Sequence, residues 1–121
     1  IMPNVYIANR SAHNYKPAER YGELVYVTTG LENRFTTNHH ARVWMEALRY
    51  SEPDDYIILA SLNVICGIGC AIFAMMHGRL NLLLYRGSSY HARELELTEI
   101  LNILEHYPKW TDKLDTDEWE E

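Results

Sequence analysis

The chain has 121 residues, enough for one domain with a single core and too few for two. Its 47% apolar and 23% charged residues are typical of a globular protein rather than a disordered or fibrous one. Most of the net charge of −6 comes from the acidic residues at 111–121, so the rest of the chain is nearly neutral and lacks the basic excess of a general nucleic-acid binder. We therefore predict one domain over residues 1–110 and an acidic tail over 111–121, with nucleic acid disfavoured as a partner.

The first half of the chain predicts two strands and two helices. The apolar runs 5–8 and 23–29 end at polar residues or glycine, as strands do. Between them, 16–22 has proline near its start and glycine at its end, which indicates a helix of one or two turns. A longer amphipathic helix is predicted from Thr37 or Asn38 to about Tyr50. Its apolar face would carry Ala41, Trp44, Met45 and Leu48.

Residues 56–76 form a stretch of 21 residues without a formal charge, long enough to cross a membrane. Polar Ser61 and Asn63, a strand-like beginning and two internal glycines argue instead for a strand that turns into a helix. His77-Gly78 would end this helix, and a second buried strand would follow over 80–85. Strand, helix and strand in this order form a parallel crossover unit, so no membrane association is predicted.

The end of the domain predicts a polar edge strand or return arm over 90–97 and a last helix from Thr98 to Pro108. Together the elements predict a single small α/β domain with a mainly parallel sheet of four or five strands. Helices would cover both faces, in a Rossmann-like or flavodoxin-like arrangement.

Polar residues follow the predicted strands where each strand ends. In an open parallel sheet, ligands bind beyond these carboxyl ends, near the point where the strand order reverses. Backbone N–H groups at the start of the helix near residue 61 and an arginine would suit a phosphate or carboxylate, although the same residues also fit helix caps and solvated strand ends. The predicted ligand-binding residues are Asn9, Arg10, Ser11, His13, Thr29, Ser61, Asn63 and Arg86.

Other residues carry weaker indications of chemistry. Gly67 and Gly69 lie inside a helix rather than at its start, so they favour close packing over phosphate contact. Cys66, Cys70 and His77 share one helical face, but their apolar surroundings favour a place in the core over a metal site. His13 is the best candidate for acid–base work, yet no partner acid is identifiable. No metal, cofactor or catalytic residue is predicted, and the nine tyrosines suggest base stacking or subunit contacts.

The segments "VYIANRSAHNYKPAERYGELVYVTTG" and "DDYIILASLNVICGIGCAIFAMMHGRLNLLLYR" resemble a group of short, largely uncharacterised bacteriophage proteins. The resemblance covers residues 4–86, with "YIANRS" and "PAERYG" as its N-terminal pattern. It implies a viral protein in the cytoplasm of the infected host and supplies no catalytic motif.

The resulting functional hypothesis is a non-enzymatic phage accessory protein that binds a host component or a small anionic, nucleotide-like ligand at the strand ends. A nucleotide-processing enzyme and a structural protein that acts as a homo-oligomer are the alternatives. The expected partners are thus a small anion, a host protein or further copies of the chain.

Overall fold

A computed structural model describes residues 2–60 and 63–107. Their backbone forms one five-stranded sheet, three α-helices and a short 3₁₀ helix, Lys16–Arg20. In chain order the elements are β1 (Asn4–Asn9), the 3₁₀ helix, β2 (Glu23–Thr28), α1 (Thr37–Leu48), β3 (Tyr56–Ile58), α2 (Asn63–His77), β4 (Arg79–Arg86), β5 (Ser89–Glu96) and α3 (Leu97–Leu104).

The strands lie in the order β2-β1-β3-β4-β5. The first four are parallel to one another, and β5 joins β4 as an antiparallel edge strand. The predicted α/β class and mainly parallel sheet are confirmed, and the segment near residue 90 is an edge strand. No helix in the described part of the chain is long and apolar enough to cross a membrane.

Helical segments lie on both faces of the sheet but cover them unequally. One core cluster joins Trp44 of α1 and Phe73 of α2 to Tyr6 and Ile57 of the sheet. The cluster on the opposite face contains Ala18 of the 3₁₀ helix, together with Ile7 and Tyr90. Right-handed crossovers explain why the helices lie on different faces. The chain crosses the sheet in one direction from β1 to β2, and in the opposite direction from β2 to β3 and from β3 to β4. The 3₁₀ helix therefore lies on one face, and α1 and α2 lie on the other.

Close packing of α1 on α2 depends on Gly69. A Cβ built at this position would lie inside the buried Trp44 indole, 2.6 Å from Cδ2 and closer still to Cε2 and Cζ2. Gly67 has no atom within 4 Å of its Cβ position, so the predicted packing role is confirmed for Gly69 alone. On α1, His40 is buried and Met45 is 52% exposed, so the expectation that Met45 faces the sheet was wrong.

The hairpin between β4 and β5 turns at Gly87 and Ser88. Their φ angles are +61° and +68°, the left-handed values that a two-residue type I′ turn requires at both central positions. This turn aligns Arg86 with Ser89 and Leu84 with His91 across the two strands. Arg86 therefore lies beside the basic residues of the edge strand. The predicted helix end at Pro108 and the tail over 111–121 lie outside the described residues.

Candidate ligand site at the carboxyl edge of the sheet

The strand order reverses between β1 and β3, so sequence reasoning places a ligand site near the ends of these strands. From β1 the chain leads outward to β2, whereas from β3 it leads through α2 to β4 on the other side. The two connections diverge at the carboxyl ends of these strands, which is the usual ligand position in such sheets. Residues 10–11 follow β1 and residues 59–60 follow β3 at this edge of the sheet.

The loop after β1 forms one side of a pocket of about 330 Å³, which we call the strand-end pocket. It lies beside β2, whose Leu24 and Tyr26 line it, and no residue of β3 belongs to its described lining. Tyr15 and Tyr26 pack in the core cluster on the face that carries the 3₁₀ helix, so the pocket lies on that face. Its polar lining is mostly basic or neutral, and Glu19 is the acidic residue within it. The side chains relevant to binding are Arg10, Ser11, His13, Lys16, Glu19 and Tyr26.

Local hydrogen bonds give the loop its shape. The Ser11 hydroxyl lies 2.9 Å from the phenol oxygen of buried Tyr15 and accepts the His13 backbone N–H at 3.3 Å. The Asn14 side chain accepts the Lys16 backbone N–H at 3.0 Å, in an Asx turn that leads into the 3₁₀ helix. The exposed His13 and Lys16 side chains are thus attached to a backbone that is held at both ends.

Arg10 contributes an accessible positive charge to the pocket. Its guanidinium carbon lies 5.1 Å from the centre of the Tyr26 ring, a cation–π contact that orients the group. Ion pairs within residues 2–60 and 63–107 join Arg49 to Glu46 and Arg79 to Glu94, so Arg10 has no carboxylate partner in this part of the chain. A guanidinium held against a ring retains donors for a bidentate contact with phosphate or carboxylate.

His13 connects the loop to the far side of the sheet. Its Nε2 lies 3.1 Å from the phenol oxygen of Tyr90 on β5, and its ring meets Tyr15 and Tyr85 edge-on. Burial raises the pKa of Tyr90 to about 12, and the nearby phenols of Tyr15, Tyr85 and Tyr26 add to the increase. Tyr90 therefore keeps its proton at neutral pH and serves His13 as a neutral hydrogen-bond partner.

Hydrogen bonds from Asn9 and Arg10 join the end of β1 to the end of β2. The Asn9 amide donates to the Gly30 carbonyl at 3.0 Å, and the Arg10 backbone N–H donates to the Thr28 carbonyl at 2.9 Å. The Asn9 Oδ1 is buried and has no hydrogen-bond partner in the described part of the chain. Thr29 is exposed in the following loop.

The remaining predicted site residues lie apart from the strand-end pocket. Asn63 is exposed at the first position of α2, and Ser61 lies outside the described residues. Arg86 lies in a second groove of about 590 Å³, together with Leu84, Gly87, Ser89, His91 and Arg93. Three of the eight predicted residues, Arg10, Ser11 and His13, thus share one pocket.

The cysteines of α2 have structural surroundings. The Cys66 thiol lies 3.1 Å from the Ala60 carbonyl, and burial raises its pKa. Burial also raises the pKa of Cys70 to about 11, with a smaller contribution from Cys66. His77 packs against Phe73 and lies 2.8 Å from the Ser51 hydroxyl. No cluster of three potential metal ligands occurs among residues 2–60 and 63–107.

Sequence reasoning missed Lys16 and Glu19 as pocket residues. Both lie on the 3₁₀ helix, where the prediction considered helix boundaries and not side-chain direction. The proline at position 17 was the available signal, because its fixed φ angle favours the 3₁₀ turn that carries both residues. The contact between His13 and Tyr90 spans 77 residues and has no local sequence signal.

Comparison with protein families identifies the family of this chain. The model of the family described as phage Pam3 gp32-like protein matches residues 3–99. The match covers most of the chain, and the chain belongs to this family of phage proteins. Comparison with curated proteins and with solved structures found no match.

Proposed function

We propose that this phage protein is a non-enzymatic accessory protein that binds a small anionic, nucleotide-like ligand in the strand-end pocket. The supporting observation is the arrangement of Arg10, held against Tyr26, beside His13 and Lys16 at the carboxyl edge of a parallel sheet. The positive groups would pair with the phosphate of such a ligand.

Size and charge are both consistent with such a ligand. A volume of about 330 Å³ is at the lower end of typical small-molecule sites, so it suits a mononucleotide or its phosphorylated part. The pocket contains two permanently charged cations, Arg10 and Lys16, and one acidic residue, Glu19. The net positive charge of this set offsets part of the roughly −1.5 to −2 charge of one phosphate group.

The test is calorimetric titration of the full chain with nucleoside monophosphates and with inorganic phosphate. Arg10→Ala should weaken binding by about tenfold or more, because it removes a charge-assisted contact. Arg49→Ala is the matched control, since Arg49 pairs with Glu46 on α1, away from the pocket. Equal affinity of Arg10→Ala and the parent protein would contradict this site.

The same titration separates the other functions. Conversion of a nucleotide during the experiment would show an enzyme, for which His13 would be the first residue to replace. Absence of binding across the panel, with a host protein captured by the parent chain and lost with Arg10→Ala, would assign this pocket to a host component instead.

A further inference from the structure

The groove at the β4–β5 hairpin is basic, and we call it the edge-strand groove. Its volume is about 590 Å³, and its described lining contains two arginines and no acidic residue. Cross-strand pairing sets Arg86 beside Ser89 and Leu84 beside His91. Because side chains alternate along a strand, these residues lie on the face of the sheet that α1 and α2 cover. The lining residues are Leu84, Arg86, Gly87, Ser89, His91 and Arg93.

Neither arginine of the edge-strand groove has a carboxylate partner in the described part of the chain. The ion pairs there join Arg49 to Glu46 and Arg79 to Glu94. Glu94 lies next to Arg93 in sequence, but alternation along β5 places it on the opposite face. The helix α2 packs against β4 on the side of the groove, and its fifteen residues include no acid. The groove therefore presents positive charge that an anionic group would compensate.

Exposed leucines border these positive charges. Leu84 within the groove is 37% exposed. Leu95 follows Arg93 by two residues on the same face of β5 and is 43% exposed. A segment that fits this surface combines several carboxylates with one or two large apolar side chains.

We propose that the edge-strand groove binds the acidic tail of the same chain, residues 111–121. The tail contains six acidic residues and one lysine, and the apolar residues Leu114 and Trp119 lie among the acids. In this arrangement, carboxylates of the tail pair with Arg86 and Arg93, in charge-assisted hydrogen bonds. The apolar side chains of the tail cover the exposed leucines, which removes apolar surface from water.

The chain is long enough for this contact. The helix α3 follows β5 directly, and fourteen residues follow Tyr107, where the described part ends. Leu97 to Tyr107 covers about 16 Å at the rise of a helix, and His91 lies about 17 Å back along β5 from Glu96. The path from Tyr107 to the groove is thus roughly 35 Å, whereas fourteen extended residues span up to about 46 Å.

Position in the sheet favours this groove over the strand-end pocket. The pocket lies beside β2, and β2 and β5 are opposite edges of the sheet, about 19 Å apart at the usual strand spacing. The pocket also lies on the other face, is smaller at about 330 Å³, and contains Glu19. Because the tail belongs to the same chain, its effective concentration at the groove is in the millimolar range, so individually weak contacts suffice.

Paramagnetic relaxation in the full chain measures the contact. A nitroxide attached to Thr116→Cys should broaden the backbone amide signals of residues 89–93. The signals of the 3₁₀ helix, on the opposite face, should stay sharp. The parent protein treated with the same reagent is the blank, because it records any label on the native thiols Cys66 and Cys70.

Charge reversal tests the attraction. Arg86→Glu combined with Arg93→Glu should abolish the broadening, because each substitution replaces attraction with repulsion. Arg34→Glu combined with Arg42→Glu changes the net charge equally at exposed positions in and before α1, and should leave the broadening intact. All four replaced side chains are exposed, so circular dichroism should show the parent fold in both variants.

Unchanged signals at 89–93 would overturn the proposal, as would broadening that survives charge reversal at both arginines. Mixing isotope-labelled parent protein with spin-labelled protein of natural isotope composition tests the source of the tail. Equally strong broadening in this mixture would assign the groove to the tail of a second copy. Sharp signals that instead shift on addition of an acidic peptide or an oligonucleotide would assign the groove to an external anion.

Discussion

Replacement of Gly69 by alanine tests the packing of α1 on α2. A helix-interior alanine is more favourable than glycine by about 1 kcal/mol, and Gly67 and Gly69 share this gain. At Gly69 the new methyl group would lie 2.6 Å from Trp44 Cδ2, far inside the 3.5–4.0 Å optimum for carbon atoms. Trp44 is fully buried and cannot move away freely, so overpacking should cost about 1–3 kcal/mol.

The comparison of Gly69→Ala with Gly67→Ala isolates the clash. Gly67→Ala should stabilise the protein by up to about 1 kcal/mol, because open space surrounds its Cβ position. Gly69→Ala should destabilise it by up to about 2 kcal/mol once the gain in helix propensity is subtracted, which separates the two melting temperatures by on the order of 5–10 °C. Thermal and urea unfolding followed by circular dichroism measure both.

A second substitution identifies the clashing group. Trp44→Phe removes part of the indole and sacrifices no hydrogen bond within the described residues, because the indole N–H has none there. In the Trp44→Phe background, Gly69→Ala should therefore cost less than it does alone. Equal stabilisation by Gly67→Ala and Gly69→Ala would refute the close approach of the two helices.

Three other substitutions have defined outcomes. Ser88→Gly should stabilise the protein by about 1 kcal/mol in urea unfolding, since Ser88 holds a φ of +68° that glycine adopts freely; a loss of stability would contradict the type I′ turn. Asn81→Leu should cost about 1–3 kcal/mol, because it removes the donors to the Pro53 and Asp55 carbonyls at 2.6 and 2.8 Å, whereas exposed Asn38→Ala should cost little. Because burial raises the pKa of Tyr90 to about 12, its contribution to stability should be complete below pH 10 and lost as pH rises toward 12. Phenolate absorbance of the parent protein minus that of Tyr90→Phe measures this titration, and a difference centred at pH 10 would refute the shift.

Local patterns were sufficient to predict the elements. The proline and glycine around 16–22 gave the 3₁₀ helix, and the apolar run after residue 55 gave a short strand followed by the 15-residue helix α2. The exposed position of Met45 was not predictable in this way. A helical wheel shows which side is apolar, but the width of the covered stripe depends on the neighbouring helix, here α2 at Gly69.

The candidate site was predictable in part. Sequence identified polar strand ends, because a buried strand must stop where hydration begins, and Arg10, Ser11 and His13 do share a pocket. It did not separate them from Arg86, which lies in another groove two strands away from β1. The alternation of side chains along β4 decides which face of the sheet Arg86 occupies. Which groove lies on that face depends on where the helices pack.

By itself the sequence determined that this is an α/β chain with short buried strands, since hydrophobic period and breakers are properties of local segments. It also determined the amphipathic character of α3, whose apolar and polar residues separate cleanly at helical spacing. Tertiary structure alone decided the strand order, the strand-end pocket beside β2, and the contact of His13 with Tyr90. These depend on contacts between residues far apart in the chain, whose free energies have no counterpart in any local pattern.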